Sequence, residues 1–182
     1  MWTCLVSEPL EDHALEYLAA RGNVIRCTAE EAPEHIADAD ALVVRTYTQV
    51  NEALLACAPK LKVVGRAGVA IENIDVPACR ARGVEVVHTP AANTLAVVDY
   101  VIGHLVAMNR RFWPMEGPVS PEEFHKARKQ VFGRFLSSMT LGIVGCGRIG
   151  SRVGRAAAAM GMTVLYNDII PIELDYPAQN VD

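Results

Sequence analysis

No stretch of this sequence runs to the roughly 18 consecutive apolar residues that a membrane-spanning helix needs. The opening, MWTCLVSEPLEDH, has acids where a signal peptide would have bases. Neither a membrane nor a secretory destination is expected. Basic excess is also missing, since 17 Lys and Arg stand against 21 Asp and Glu for a formal net charge of −4. Without spare cations to neutralise phosphates, a nucleic-acid partner is disfavoured. The densest basic patch, HKARKQ at His125 to Gln130, reads as a solvated helix face. There is no CxxC pair, and the five cysteines (Cys4, Cys27, Cys57, Cys79 and Cys146) are widely spaced and odd in number. That excludes a disulfide framework and points to no zinc or other metal site. They read as small core residues in a reducing, cytoplasmic compartment. Internal sequence repeats and low-complexity tracts are absent as well.

What is present is a soluble composition with material for a sizeable core, 51% hydrophobic and 21% charged over 182 residues. Short β-rich runs recur at CLV 4–6, NVIRC 23–27, ALVVR 41–45, LKVVG 61–65 and VEVVH 84–88, their starts 19, 18, 20 and 23 residues apart. Each interval leaves room for one helix and two short loops, the rhythm of βα units winding a parallel sheet. Continuous apolar runs such as VVR and KVVG suit strands buried on both faces. Pro9 and Pro77 fit first-turn helix positions, Asp75 fits the cap before Pro77, and Gly22 and Gly83 fit helix exits.

The pattern changes after Pro90. Residues 93–112, NTLAVVDYVIGHLVAMNRRF, form the longest helical pattern and are apolar over most of the circumference. Such a helix is usually buried between domains or against a second subunit. The stretch WPMEGPVSPEE that follows, with Pro114, Pro118 and Pro121, reads as a rigid irregular connection.

Gly145, Gly147 and Gly150 in GCGRIG match G-x-G-x-x-G. Alone the match is weak, but it follows the strand pattern TLGIV and opens the Ala-rich helix RVGRAAAAM, with a second strand, TVLYN, beyond. In that frame the first glycine allows the tight turn, the second admits a pyrophosphate, and the third lets helix pack on strand. The N–H groups around Arg148 and Ile149 at the helix start then face the anion. Asp168, 168 − 150 = 18 residues past the last glycine, stands where an acid accepts the ribose hydroxyls and repels a 2′-phosphate, favouring NAD. Its other reading is a turn starter before Pro171.

Three segments, VVRTYTQV at 43–50, VVGRAGVAIENIDVPACRARGVEVVHTPAANTLAVVDYVIG at 63–103 and TLGIVGCGRIGSRVGRAAAAMGMTVLYND at 140–168, together resemble the NAD-dependent D-isomer-specific 2-hydroxyacid dehydrogenases, most of all the phosphoglycerate-type members. GRAG, NID and TP-x-x-N-T occur in the family's order and spacing. The resemblance implies a flavodoxin-like substrate domain at 1–92 and the start of a Rossmann NAD domain at 93–182, with an active site in the cleft between. It implies oxidation of a D-2-hydroxyacid, D-3-phosphoglycerate foremost, in serine biosynthesis, while the apolar 93–112 helix points to a homodimer formed through it. Arg66, Ala67, Gly68 and Val69 would present backbone N–H groups to the substrate carboxylate. Arg45 would hold the substrate's anionic end, or else form a surface ion pair at its strand end. The chain departs from the family pattern at Gln49, Ala70, Ala91 and Asp99. If the loops need positive φ at Ala70 and Ala91, each added methyl costs about 1 kcal/mol.

In the family the catalytic histidine, its glutamate and an arginine lie well downstream of the Asp168 position, and only 182 − 168 = 14 residues follow it here. His88 ends a strand and His104 lies on the apolar helix, neither with an acidic partner three or four residues away on the same helical face, so both read as structural, while His13, His35 and His125 read as surface residues. No catalytic residue is therefore expected within these 182 residues. Only two strands, TLGIV and TVLYN, are expected in the nucleotide half, with IIPIELDYPAQNVD as a loop. The reading from another class is a catalytically inactive NAD-binding or dimerisation module.

Overall fold

A computed structural model describes residues 1–110, 112 and 117–181. The chain is α/β and divides into two units, Met1–Asn93 and Thr94–Asp182.

The first unit winds five parallel strands, β1 (Thr3–Val6), β2 (Asn23–Arg26), β3 (Ala41–Val44), β4 (Val63–Arg66) and β5 (Glu85–His88). Their order, β2-β1-β3-β4-β5, is the flavodoxin-like one. Helices α1 (Asp12–Ala19), α2 (Ala32–His35), α3 (Glu52–Ala56) and α4 (Val76–Ala81) fill the crossovers. Leu5, Leu42, Val44 and Val64 pack with Ile36, Leu54, Leu55 and Cys79 into one buried cluster on one face of the sheet. Asn51 and Asp75 cap α3 and α4, accepting from Leu54 N and Ala78 N. Gly83 takes φ +72° at the exit from α4, a conformation glycine adopts without penalty.

Two local expectations are corrected. Pro9 lies ahead of α1 rather than in its first turn, because the helix starts on the Glu11 carbonyl, which accepts from Ala14 N and Leu15 N. The strands are not evenly buried on both faces: β3 alternates half-buried and buried, and Val87 of β5 is 49% exposed. The physical reason is that α1 contributes no fully buried residue to the second face. There the sheet opens into a groove of about 530 Å³ lined by Val43, Val63, Gly65 and Val87.

In the second unit, α5 (Thr94–Asn109) buries Thr94 and Val98 and leaves Leu95, Tyr100 and Met108 exposed. Of the proline-punctuated connection expected after Phe112, residues 113–116 lie outside the described residues, 117–120 are irregular as expected, and from Pro121 on the chain is helical instead. Helix α6 (Pro121–Gln130) is closed by a capping box between Ser120 and Glu123 and exposes its basic residues. Strands β6 (Thr140–Val144) and β7 (Thr163–Asn167) flank α7 (Gly150–Ala159), which buries Val153, Gly154 and Ala157.

The tail is not only a loop. Gln179–Asn180 forms a third parallel strand, β8, against Leu165 and Tyr166 of β7, giving the order β6-β7-β8. Val181 N bonds to Tyr166 O, and the Asn167 side chain donates to Val181 O. A strand of two residues is too short to show periodicity, and backbone pairing with β7 creates it. No helix among the described residues is long and apolar enough to cross a membrane.

Candidate functional site

In an open parallel sheet, ligands sit beyond the carboxyl ends of the strands, near the point where strand order reverses. In the first unit that point lies between β1 and β3. The Ser7–Pro9 loop and the Arg45–Thr48 turn meet there, and Glu8, only 8% exposed, joins them. Its Oε1 accepts from Arg45 N at 2.9 Å and Thr48 N at 3.0 Å, its Oε2 from Thr46 N at 2.8 Å and Tyr47 N at 3.1 Å. Burial alone would raise the Glu8 pKa, but the four donors outweigh it and hold the carboxyl down to about 2. The N–H concavity at the switch point is thus filled by the protein's own carboxylate. The Asn73 side chain closes the turn from its carbonyl side, donating to Arg45 O at 3.1 Å and Thr48 O at 2.8 Å.

Arg45 itself is exposed, and its guanidinium donates to Pro9 O at 3.2 Å. Among the described residues it makes no ion pair. One strand over, Arg66 ends β4, Ala67 to Val69 follow it, and all four are half-buried. Two of their N–H groups are engaged within the fold, Ala67 N with Val44 O and Gly68 N with Arg66 O. The Arg66 guanidinium lies against Gly68 with its Nε buried and unpartnered. The same arginine lines a groove of about 440 Å³ with His13, Tyr17, His88 and Thr89. Among the described residues only Gly83, Gly145 and Gly161 take positive φ, so the methyls of Ala70 and Ala91 bring no backbone strain.

In the second unit the three motif glycines have three different surroundings. Gly145 takes φ +88°, a conformation that costs other residues about 1 kcal/mol or more. A Cβ on Gly150 would run into Gly145 O, whereas one on Gly147 would meet nothing within 4 Å. The Gly147, Arg148 and Ile149 N–H groups donate to no acceptor among the described residues and stand at the start of α7. They form the open, positively polarised end of a helix dipole. Asp168, the residue after β7, has one oxygen on Cys146 N at 2.6 Å and the other on Ile170 N at 3.2 Å, so it both faces the glycine loop and starts the turn. Cys146 Sγ lies 3.7 Å from the Tyr176 hydroxyl, whose pKa burial and that contact push up to about 12.

Glu8, Asn73 and Tyr176 were not among the candidates read from the sequence. Asn73 lies inside the NID segment; for Glu8 the only signal is an acid two residues past an apolar strand.

The sequence model of a family described as D-isomer specific 2-hydroxyacid dehydrogenase, catalytic domain, matches residues 4–167. The chain is 39% identical over 174 residues to a D-3-phosphoglycerate dehydrogenase of Methanocaldococcus jannaschii, a match covering 93% of this chain and 33% of that protein. It is 32% identical over 182 residues to a hydroxypyruvate reductase of Thermotoga maritima, covering 97% of this chain and 58% of the relative. Among solved structures, a D-lactate dehydrogenase from Aquifex aeolicus complexed with NAD and lactic acid superposes with TM-score 0.70 at 26% identity, over 94% of this chain and 52% of that one. The chain spans about a third of the length of the first curated relatives it matches.

Proposed function

Because the chain belongs to the D-isomer-specific 2-hydroxyacid dehydrogenases, we propose that the protein oxidises a D-2-hydroxyacid with NAD, D-3-phosphoglycerate being the substrate favoured. The observation that carries this reading is the glycine loop: a positive φ at Gly145, open space at Gly147, unengaged N–H groups at the start of α7 and an acid at the end of β7. Each is what a dinucleotide requires, so the residues present fit NAD. Gly145, Gly147, Arg148, Ile149 and Gly150 would hold its pyrophosphate and Asp168 its adenosine ribose. Bound NAD supplies the hydride acceptor.

The chain's own residues bind and orient. In the first unit, taken as the substrate domain, the Arg66 to Val69 loop would receive the substrate carboxylate, and Arg45 would hold its second anionic group as a guanidinium fork. Removing the hydroxyl proton needs a base in hydrogen-bond reach, and the geometry around His88 and His104 supports neither for it. His88 is exposed at the end of β5, and the His104 ring sits on Tyr100 O at 2.9 Å. The exposed Leu95, Tyr100 and Met108 of α5 support a homodimer through that helix. Five free cysteines support a reducing, cytoplasmic setting.

The test is NADH formation by the full-length protein over paired D- and L-2-hydroxyacids, with D-3-phosphoglycerate among them. Turnover confined to D-enantiomers is expected. Absence of turnover with every D-acid overturns the reading.

A further inference from the structure

The Arg45–Thr48 turn has neither helix nor strand hydrogen bonds of its own, yet its four N–H groups and two of its carbonyls are satisfied by side chains from distant parts of the first unit. Two side chains do this from opposite sides. Glu8, arriving from the end of β1, takes all four N–H groups within 2.8–3.1 Å. Asn73, arriving from the segment before α4, donates both amide hydrogens to Arg45 O and Thr48 O. Neighbouring contacts brace both arms. Ser7 Oγ meets Thr48 Oγ1 at 2.8 Å, and Val50 pairs with the Asn73–Asp75 segment through Val50 N to Asn73 O at 2.9 Å and Asp75 N to Val50 O at 2.8 Å.

The outward side of the turn is different. Arg45, Thr46 and Tyr47 are exposed, and Tyr47 is 78% so. Inward the turn is immobilised by charge-assisted bonds, and outward it holds a guanidinium beyond the carboxyl ends of the strands. A side chain that must meet an anion within a few tenths of an ångström needs such a support, since a loose turn loses orientation before it loses the residue itself.

We propose that Glu8 and Asn73 are positioning residues that clamp the Arg45–Thr48 turn, so that Arg45 is presented in one orientation to the anionic end of the substrate. The proposal rests on the reading of the protein as a D-2-hydroxyacid dehydrogenase and deepens it. It gives the NID segment a task at the substrate end of the site. It also assigns Glu8, despite its place at the switch point, no contact with substrate and no proton transfer.

The test uses full-length protein carrying Glu8→Gln, Arg45→Ala, or both. An amide at position 8 keeps one acceptor oxygen and turns an NH2 toward two of the four donors. Amide exchange at residues 45–48 is therefore expected to quicken at least about tenfold through local opening, while exchange in β3 and β4 follows only the change in global stability. The KM for D-3-phosphoglycerate is expected to rise about tenfold, with kcat and the KM for NAD within about twofold. Because Glu8 acts through Arg45, the double variant should show no higher KM than Arg45→Ala alone. If Glu8→Gln does not accumulate folded, Asn73→Ser loosens the same turn from the carbonyl side and carries the same expectations.

An active enzyme in which exchange quickens but KM holds, or in which the two effects multiply, overturns the positioning role and leaves the dehydrogenase reading standing. Unchanged exchange in the variant overturns the clamp itself. A wild-type protein inert toward every D-acid removes the underlying reading, and the proposal with it.

Discussion

Asp168 Oδ2 accepts the backbone N–H of Cys146 at 2.6 Å, tying the end of β7 to the middle of the glycine loop across 22 residues of sequence. The carboxylate therefore has a structural partner before any ribose arrives, and a ligand must share it. Asp168→Ala removes both at once: the loop loses a charge-assisted bond and the ribose loses its acceptor. The NAD dissociation constant is expected to rise about tenfold or more, equivalent to about 1.4 kcal/mol. Discrimination against NADP should fall as the negative charge goes. Fluorescence titration with NADH and NADPH measures both, and unchanged affinity for NADH would remove Asp168 from the site.

The glycines of the same loop should fail in different ways. At Gly150 a methyl runs into Gly145 O, so Gly150→Ala must displace α7 from the loop whether or not a ligand is present. A stability loss of about 1–3 kcal/mol is expected, as for other overpacked sites. Gly147→Ala enters empty space at an ordinary backbone conformation, and stability should change by under about 0.5 kcal/mol. Its methyl would instead stand where a pyrophosphate must approach, so NADH binding should weaken at least tenfold, or about 1.4 kcal/mol. Urea unfolding and NADH titration on the two variants separate the cases. Equal binding by Gly147→Ala and wild type would mean that the dinucleotide does not lie over this glycine.

What was legible in the sequence was what neighbouring residues encode. The βα rhythm located all five strands of the first unit, and Asp75 beside Pro77 marked the start of α4, because caps and apolar runs are local signals. Three features were not legible, each for a physical reason. Strand β8 exists through two backbone pairings and is too short for periodicity. Pro9 resembled a helix opener, but the bonds of Glu8 to residues 37–40 positions away hold the chain in the loop there, and the helix begins only after Glu11. The clamp on the Arg45 turn was invisible for the same reason, since Asn73 acts over 25 and 28 residues. Arg45 stands out in the sequence only through its match to the family pattern, and the contacts that hold it in place exist only in the folded backbone.

Glu8 also gives the protein a defined response to acid. Its carboxyl, pulled by four N–H donors from an ordinary 4.5 to about 2 despite burial, is protonated more readily in the unfolded chain than in the folded one. A folded pKa below the unfolded one contributes stability that is complete above about pH 4.5 and is lost as pH falls toward 2. For this displacement the contribution is about 3 kcal/mol. Asp40, Glu31 and Glu123 are also held below their ordinary values, so wild-type protein alone cannot report on Glu8. Those groups titrate equally in a Glu8→Gln variant, and the difference between the two proteins isolates the one carboxylate. Unfolding free energies from urea titrations between pH 6 and 2 should show a gap that is constant above about pH 5 and closes below pH 4 at up to about 1.4 kcal/mol per pH unit. A gap that stays constant down to pH 2 would mean that the four donors do not discriminate carboxylate from carboxylic acid, and that Glu8 fills the turn by shape alone.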